Sequence, residues 1–159
     1  MPSISRSFII WYFTTTKKCW TQLQTIDVRS EILSTVRFEA NLNLKNIRVE
    51  SSSLRKAYCH HLQALVHLSL GDFGPHPRPV FQILEMEQLD NLTQLNLSGL
   101  GMASLNLPNS PSLSQLKICA PSRGSRTGIR LNLEACNTIK NLEINGKINT
   151  LNLYSELPL

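Results

Sequence analysis

The chain contains no Gly-x-Ser-x-Gly elbow, no Gly-x-x-x-x-Gly-Lys and no Gly-x-Gly-x-x-Gly stretch. The backbone devices that present a serine nucleophile or cradle a phosphate are therefore missing. Its four cysteines, Cys19, Cys59, Cys119 and Cys136, lie far apart and form no Cys-x-x-Cys pair. That pattern indicates neither a zinc site nor a disulfide framework, and reduced packing thiols are expected. Charged residues make up 17% of the 159, below the roughly 25% usual in soluble domains. The amino-terminal apolar run Phe8-Ile9-Ile10-Trp11-Tyr12-Phe13 falls short of a signal-peptide core of ~7–15 residues or a membrane span of ~20. An intracellular location, cytoplasmic or nuclear, is expected. The Asn-x-Ser/Thr matches at Asn91 and Asn96 then carry no sugar, because glycosylation needs a secretory route.

The net charge of +5 is uneven. Residues 1–60 hold nine Lys/Arg against four acids, and the remainder holds seven of each. A basic third can meet nucleic acid or acidic lipid. Here the bases are interspersed with acids and never run longer than two, which is the pattern of a solvated surface. Neither nucleic acid nor membrane is expected as a partner.

What the chain does have is a period. Five stretches of fourteen residues align without a gap: Val36 to Val49, Ala57 to Leu70, Leu84 to Leu97, Leu105 to Ile118 and Leu131 to Ile144, with a sixth beginning at Leu151. The first, third, ninth, twelfth and fourteenth positions are apolar in each full copy. The one-to-three and twelve-to-fourteen steps, as in Leu105-Asn106-Leu107 and Leu116-Lys117-Ile118, alternate as short strands do. Two extended segments per coil, separated by corners such as Pro108-Asn109-Ser110-Pro111, are expected to stack in parallel on those of neighbouring coils. The sheet then exists only as an array, and each buried large apolar side chain contributes roughly 1.5–3 kcal/mol to it.

The ends of the units are spaced by 21, 27, 21 and 26 residues, inside the ~20–29 range of leucine-rich repeats. Two longer connections, Gly71 to Ile83 and Cys119 to Arg130, are rich in turn-forming glycine and proline. The domain division expected is a flank or cap over residues 1–35 and a leucine-rich-repeat-like array over 36–159, truncated in its sixth unit. Residues 1–35 hold five of the ten aromatics and suggest a helical cap on the first coil's open end.

An array of this kind offers a long exposed surface and no closed pocket, so binding to a macromolecule is the leading function. The eleventh column reads Asn46, His67, Gln94, Gln115 and Asn141. It is either a side-chain ladder along the stack or a polar reading face. The thirteenth reads Arg48, Ser69, Asn96, Lys117 and Glu143. Because arginine is favoured among interface hot spots, the protein-binding candidates are Arg48, His67, Gln94, Gln115 and Lys117, with Arg78, Arg123 and Arg126 in the long connections. Cys59-His60-His61 with His67 is a weak metal candidate, since neighbours in an extended segment point opposite ways. Glu85 and Glu87 have no acidic residue at the matching positions of adjacent coils, which argues against a carbohydrate-cleaving β-helix. No cofactor is expected.

Leu92-Thr93-Gln94-Leu95-Asn96-Leu97-Ser98-Gly99-Leu100-Gly101-Met102 resembles the leucine-rich-repeat consensus, with Leu100 in place of its Asn/Cys. The stretch Leu131 to Ile144 is similar to the repeats of F-box proteins. That resemblance implies a non-catalytic protein-recognition array, the substrate-binding part of a ubiquitin-ligase adaptor. A structural repeat fragment without a partner is the alternative, and a carbohydrate-active β-helix the third.

Overall fold

Alternation in the sequence becomes strand throughout. The computed structural model describes residues 10–14, 22–71, 81–107, 110–119, 129–133 and 136–153, the side chains of 10–14 excepted. Its strands are β1 (Ile10–Thr14), β2 (Thr25–Ser30), β3 (Thr35–Glu39), β4 (Asn46–Ser51), β5 (Lys56–His60), β6 (His67–Gly71), β7 (Ile83–Glu87), β8 (Gln94–Ser98), β9 (Ser104–Asn106), β10 (Gln115–Cys119), β11 (Ile129–Asn132), β12 (Asn141–Asn145) and β13 (Ile148–Asn152).

Each coil delivers one odd and one even strand. The even strands form one six-stranded parallel sheet, ordered β12-β10-β8-β6-β4-β2. The odd strands form two sheets, β1-β3-β5-β7 and β13-β11-β9. A parallel pair needs a crossover, and here the crossover from one coil to the next is the strand on the opposite side.

The register follows the fourteen-residue frame residue for residue. Leu95 sits opposite Leu116 and Leu116 opposite Leu142. Ile47, Leu68 and Leu95 continue the same row. In the first four units only Leu84 among the five apolar columns stands outside the fully buried set. The last described coil differs: Leu142, Ile148, Leu151 and Leu153 are exposed, Leu153 at 61%, because no further coil among the described residues lies on them.

Two buried columns escape the fourteen-residue pattern. One is the sixth position, Asn41, Leu62, Leu89, Ser110 and Cys136, all buried. Its polar members make it look like a corner in the sequence. The other precedes the units: Leu33, Leu54, Phe81 and Met102, also buried.

The corners repeat as well. The amide of Leu65 donates to Leu62 O, that of Leu92 to Leu89 O and that of Leu113 to Ser110 O, closing a four-residue turn between the sixth and ninth positions. Pro111, second in its turn, has the fixed φ that position wants. In the first unit the Asn41 side chain does the same work, accepting from Asn43 N at 3.1 Å. Ala40, His61 and Gln88 hold positive φ of 52°, 55° and 53° at the equivalent point of three coils.

The expected helical cap is not found among the described residues. Within residues 1–35 the described segments 10–14 and 25–30 are strands, pairing with β3 and β4. The array's ladder extends into the flank, whose period-two alternation in Thr25–Ser30 is obscured by the aromatic cluster that precedes it. No helix of the described residues is long and apolar enough to cross a membrane.

Candidate protein-recognition face

The outward side chains of the even sheet come from every second residue of β2 through β12, because the intervening ones fill the core. Three rows result. The first is Thr25, Asn46, His67, Gln94, Gln115 and Asn141, and the second Asp27, Arg48, Ser69, Asn96, Lys117 and Glu143. The third runs Arg29, Glu50, Gly71, Ser98, Cys119 and Asn145. Five of the expected residues, Arg48, His67, Gln94, Gln115 and Lys117, therefore share one face. Arg78, Arg123 and Arg126 lie outside the described residues.

The first row does not form a ladder of side-chain bonds. Among the described residues its one such bond is Asn46 Nδ2 donating to Thr25 Oγ1 at 3.4 Å. The adjacent column bonds instead to main chain: Thr93 Oγ1 donates to Val66 O at 3.2 Å and Ser114 Oγ to Thr93 O at 3.3 Å. The short hydroxyls reach the neighbouring coil's carbonyl, which leaves the amides of Gln94 and Gln115 available at the surface.

Charge on this face is locally neutralised. Arg48 donates from Nε to Glu50 Oε1 at 3.1 Å, and the bond to Glu50 holds its guanidinium pKa above the ordinary value. Arg29 stands 3.8 Å from the other Glu50 oxygen. Lys117 Nζ lies 2.8 Å from Glu143 Oε1. That hydrogen bond raises the lysine and lowers the carboxyl, with Asn145 Nδ2 donating to the same oxygen at 2.8 Å.

Sequence reasoning missed a second cluster, on the odd side. Arg37 lies 4.5 Å from the centroid of the Tyr58 ring and 2.9 Å from Glu39 Oε1. The Tyr58 and His60 rings meet edge to face at 6.2 Å. His60 Nε2, buried and without a hydrogen-bond partner among the described residues, is 3.6 Å from Glu85 Oε2. The signal was the identity of positions two and four in adjacent units: Arg37 beside Tyr58 beside Glu85, and Glu39 beside His60 beside Glu87. Cys59 points the other way, into the core, where burial pushes its thiol up to about 12. His67 belongs to the opposite sheet.

No protein-family model, curated protein or solved structure matches the chain.

Proposed function

We propose that the chain is a non-catalytic protein–protein recognition module of the leucine-rich-repeat type, working inside the cell as the substrate-binding part of a ubiquitin-ligase adaptor. The observation that carries the recognition reading is the even face. Six parallel strands present two unbroken rows of polar side chains in register, with the amide groups of Gln94 and Gln115 not engaged by neighbours. A regular surface with two arginines and a lysine among amides suits a protein partner, since hydrogen bonding and charge set specificity and arginine is favoured at hot spots. The adaptor assignment rests on the resemblance of Leu131 to Ile144 to F-box repeats.

The test is affinity capture with the full chain beside an Arg48→Glu/Lys117→Glu variant. Both positions are exposed, so the variant should keep its fold by circular dichroism. A partner held by the wild type and lost by the variant, accompanied by ubiquitin-ligase subunits, supports the reading. Capture of no specific protein, or equal capture by both chains, overturns it.

A further inference from the structure

The odd side of the array is interrupted. Where one coil follows another, the amide at the start of the later odd strand donates to the residue just before the earlier one. Lys56 N reaches Ser34 O at 3.2 Å, Ile83 N reaches Arg55 O at 3.2 Å and Arg130 N reaches Ala103 O at 3.0 Å. The corresponding bond from Ser104 N to Gln82 O is not made, and β7 and β9 are edges of different sheets. The even strands of the same two coils, β8 and β10, remain paired without a slip.

In a parallel ladder the main-chain groups of successive residues point to alternate sides. Ile83 N and Glu87 O are bonded toward β5, so those of Leu84 and Met86 point away from it, at the interruption. Ser104 and Asn106 face it from β9. Among the described residues none of these edge groups has a strand to pair with. Unpaired edges are ready templates for another strand and are usually blunted. Here they lie in the middle of the array. Glu85 and Glu87 stand exposed on the outer face of the β7 edge. Leu84, the one column residue of the first four units that is not fully buried, lies on the inner face.

We propose that the interruption between β7 and β9 docks an extended segment of a partner protein, one with basic side chains at alternate positions and apolar ones between. Main-chain bonds to Leu84 and Met86 supply affinity, as in other strand-addition complexes. The basic side chains meet Glu85 and Glu87 outside, and the apolar ones cover Leu84 inside. This site lies on the side opposite the polar face and does not rest on the recognition role given to that face.

The probe is an acetylated, amidated heptapeptide alternating lysine and valine, added to the full chain and followed by amide NMR. In the free chain, Leu84 and Met86 amides exchange faster than Ala57 and Cys59, their counterparts on paired β5. Addition of the probe shifts and protects Leu84, Met86, Ser104 and Asn106. Glu85→Lys/Glu87→Lys weakens the probe about tenfold, Arg48→Glu/Lys117→Glu leaves it unchanged, and the same peptide N-methylated at every residue does not bind. Leu84 and Met86 amides already protected in the free chain would overturn the proposal. So would shifts mapping elsewhere, equal binding of the N-methylated peptide, or equal affinity for the Glu85/Glu87 variant.

Discussion

Ser51, 1% exposed, donates its hydroxyl to the carbonyl of Leu33 at 2.6 Å across the corner between two coils. The same oxygen accepts from Ser53 N at 3.2 Å. Ser51→Ala deletes both bonds and leaves a buried carbonyl unmatched, which costs about 1–3 kcal/mol. Urea unfolding monitored by circular dichroism should show the lower midpoint with an unchanged slope.

Truncation should cost more in the interior coils than in the last. Leu68 and Leu142 belong to the same column, yet the first is 1% exposed and the second 38%. Leu68→Ala opens a cavity and should lose about 2–5 kcal/mol. Leu142→Ala removes a half-solvated side chain and should lose less than half as much. Equal losses in denaturant titrations would mean the columns are not stacked as described.

The corner residues at positive φ offer a gain. Ala40 holds φ of 52°, a left-handed conformation in which a Cβ crowds the following carbonyl at a cost of about 1–2 kcal/mol. Ala40→Gly relieves that crowding. Glycine's greater freedom in the unfolded chain opposes the gain, so the variant should be more stable by a few tenths up to about 1 kcal/mol. The thermal midpoint would rise accordingly.

Cys59 couples the fold to alkaline pH. Its thiol is raised from 9.0 to about 12 in the folded chain by burial alone, so the folded state keeps the proton while the unfolded thiol ionises. Its contribution is whole below pH 9 and is lost progressively as pH climbs toward about 12, at up to roughly 1.4 kcal/mol per pH unit. Cys59→Ala should flatten that part of the stability profile. At pH 8, alkylation mapped by mass spectrometry should label half-buried Cys119 well before Cys59.

Glu143 moves the other way. The hydrogen bond from Lys117 lowers its pKa, so the pair's contribution is present at neutral pH and fades in acid as pH falls through that lowered value. Lys117→Ala should return the Glu143 titration, followed by carboxyl NMR, upward toward 4.5.

Much of this architecture was legible in the chain because the inward positions of both strands are apolar in every coil. A gapless fourteen-residue alignment reproduces the row in which Asn46, His67, Gln94, Gln115 and Asn141 pair each with the next. Buried Asn41 and Ser110 hid the sixth column, because hydrophobicity does not register a polar group satisfied inside a turn. The flank's aromatics suggested helix, whereas the free edges of β3 and β4 favour strands that continue their hydrogen bonding. Nor does composition reveal the interruption beside β7: Leu84 and Leu105 occupy equivalent columns, and their lack of pairing is a three-dimensional fact. The odd-side cluster of Arg37, Tyr58 and His60 was readable only by comparing rows across units.

Both long connections leave the even sheet at the same corner, after β6 and after β10, and both return to begin an odd strand. Strand pairing on the even side keeps step across each of them, although the coils differ by five or six residues in length. This corner is thus where the scaffold can be lengthened, shortened or exchanged without retuning its pairing, a natural graft point for new specificity.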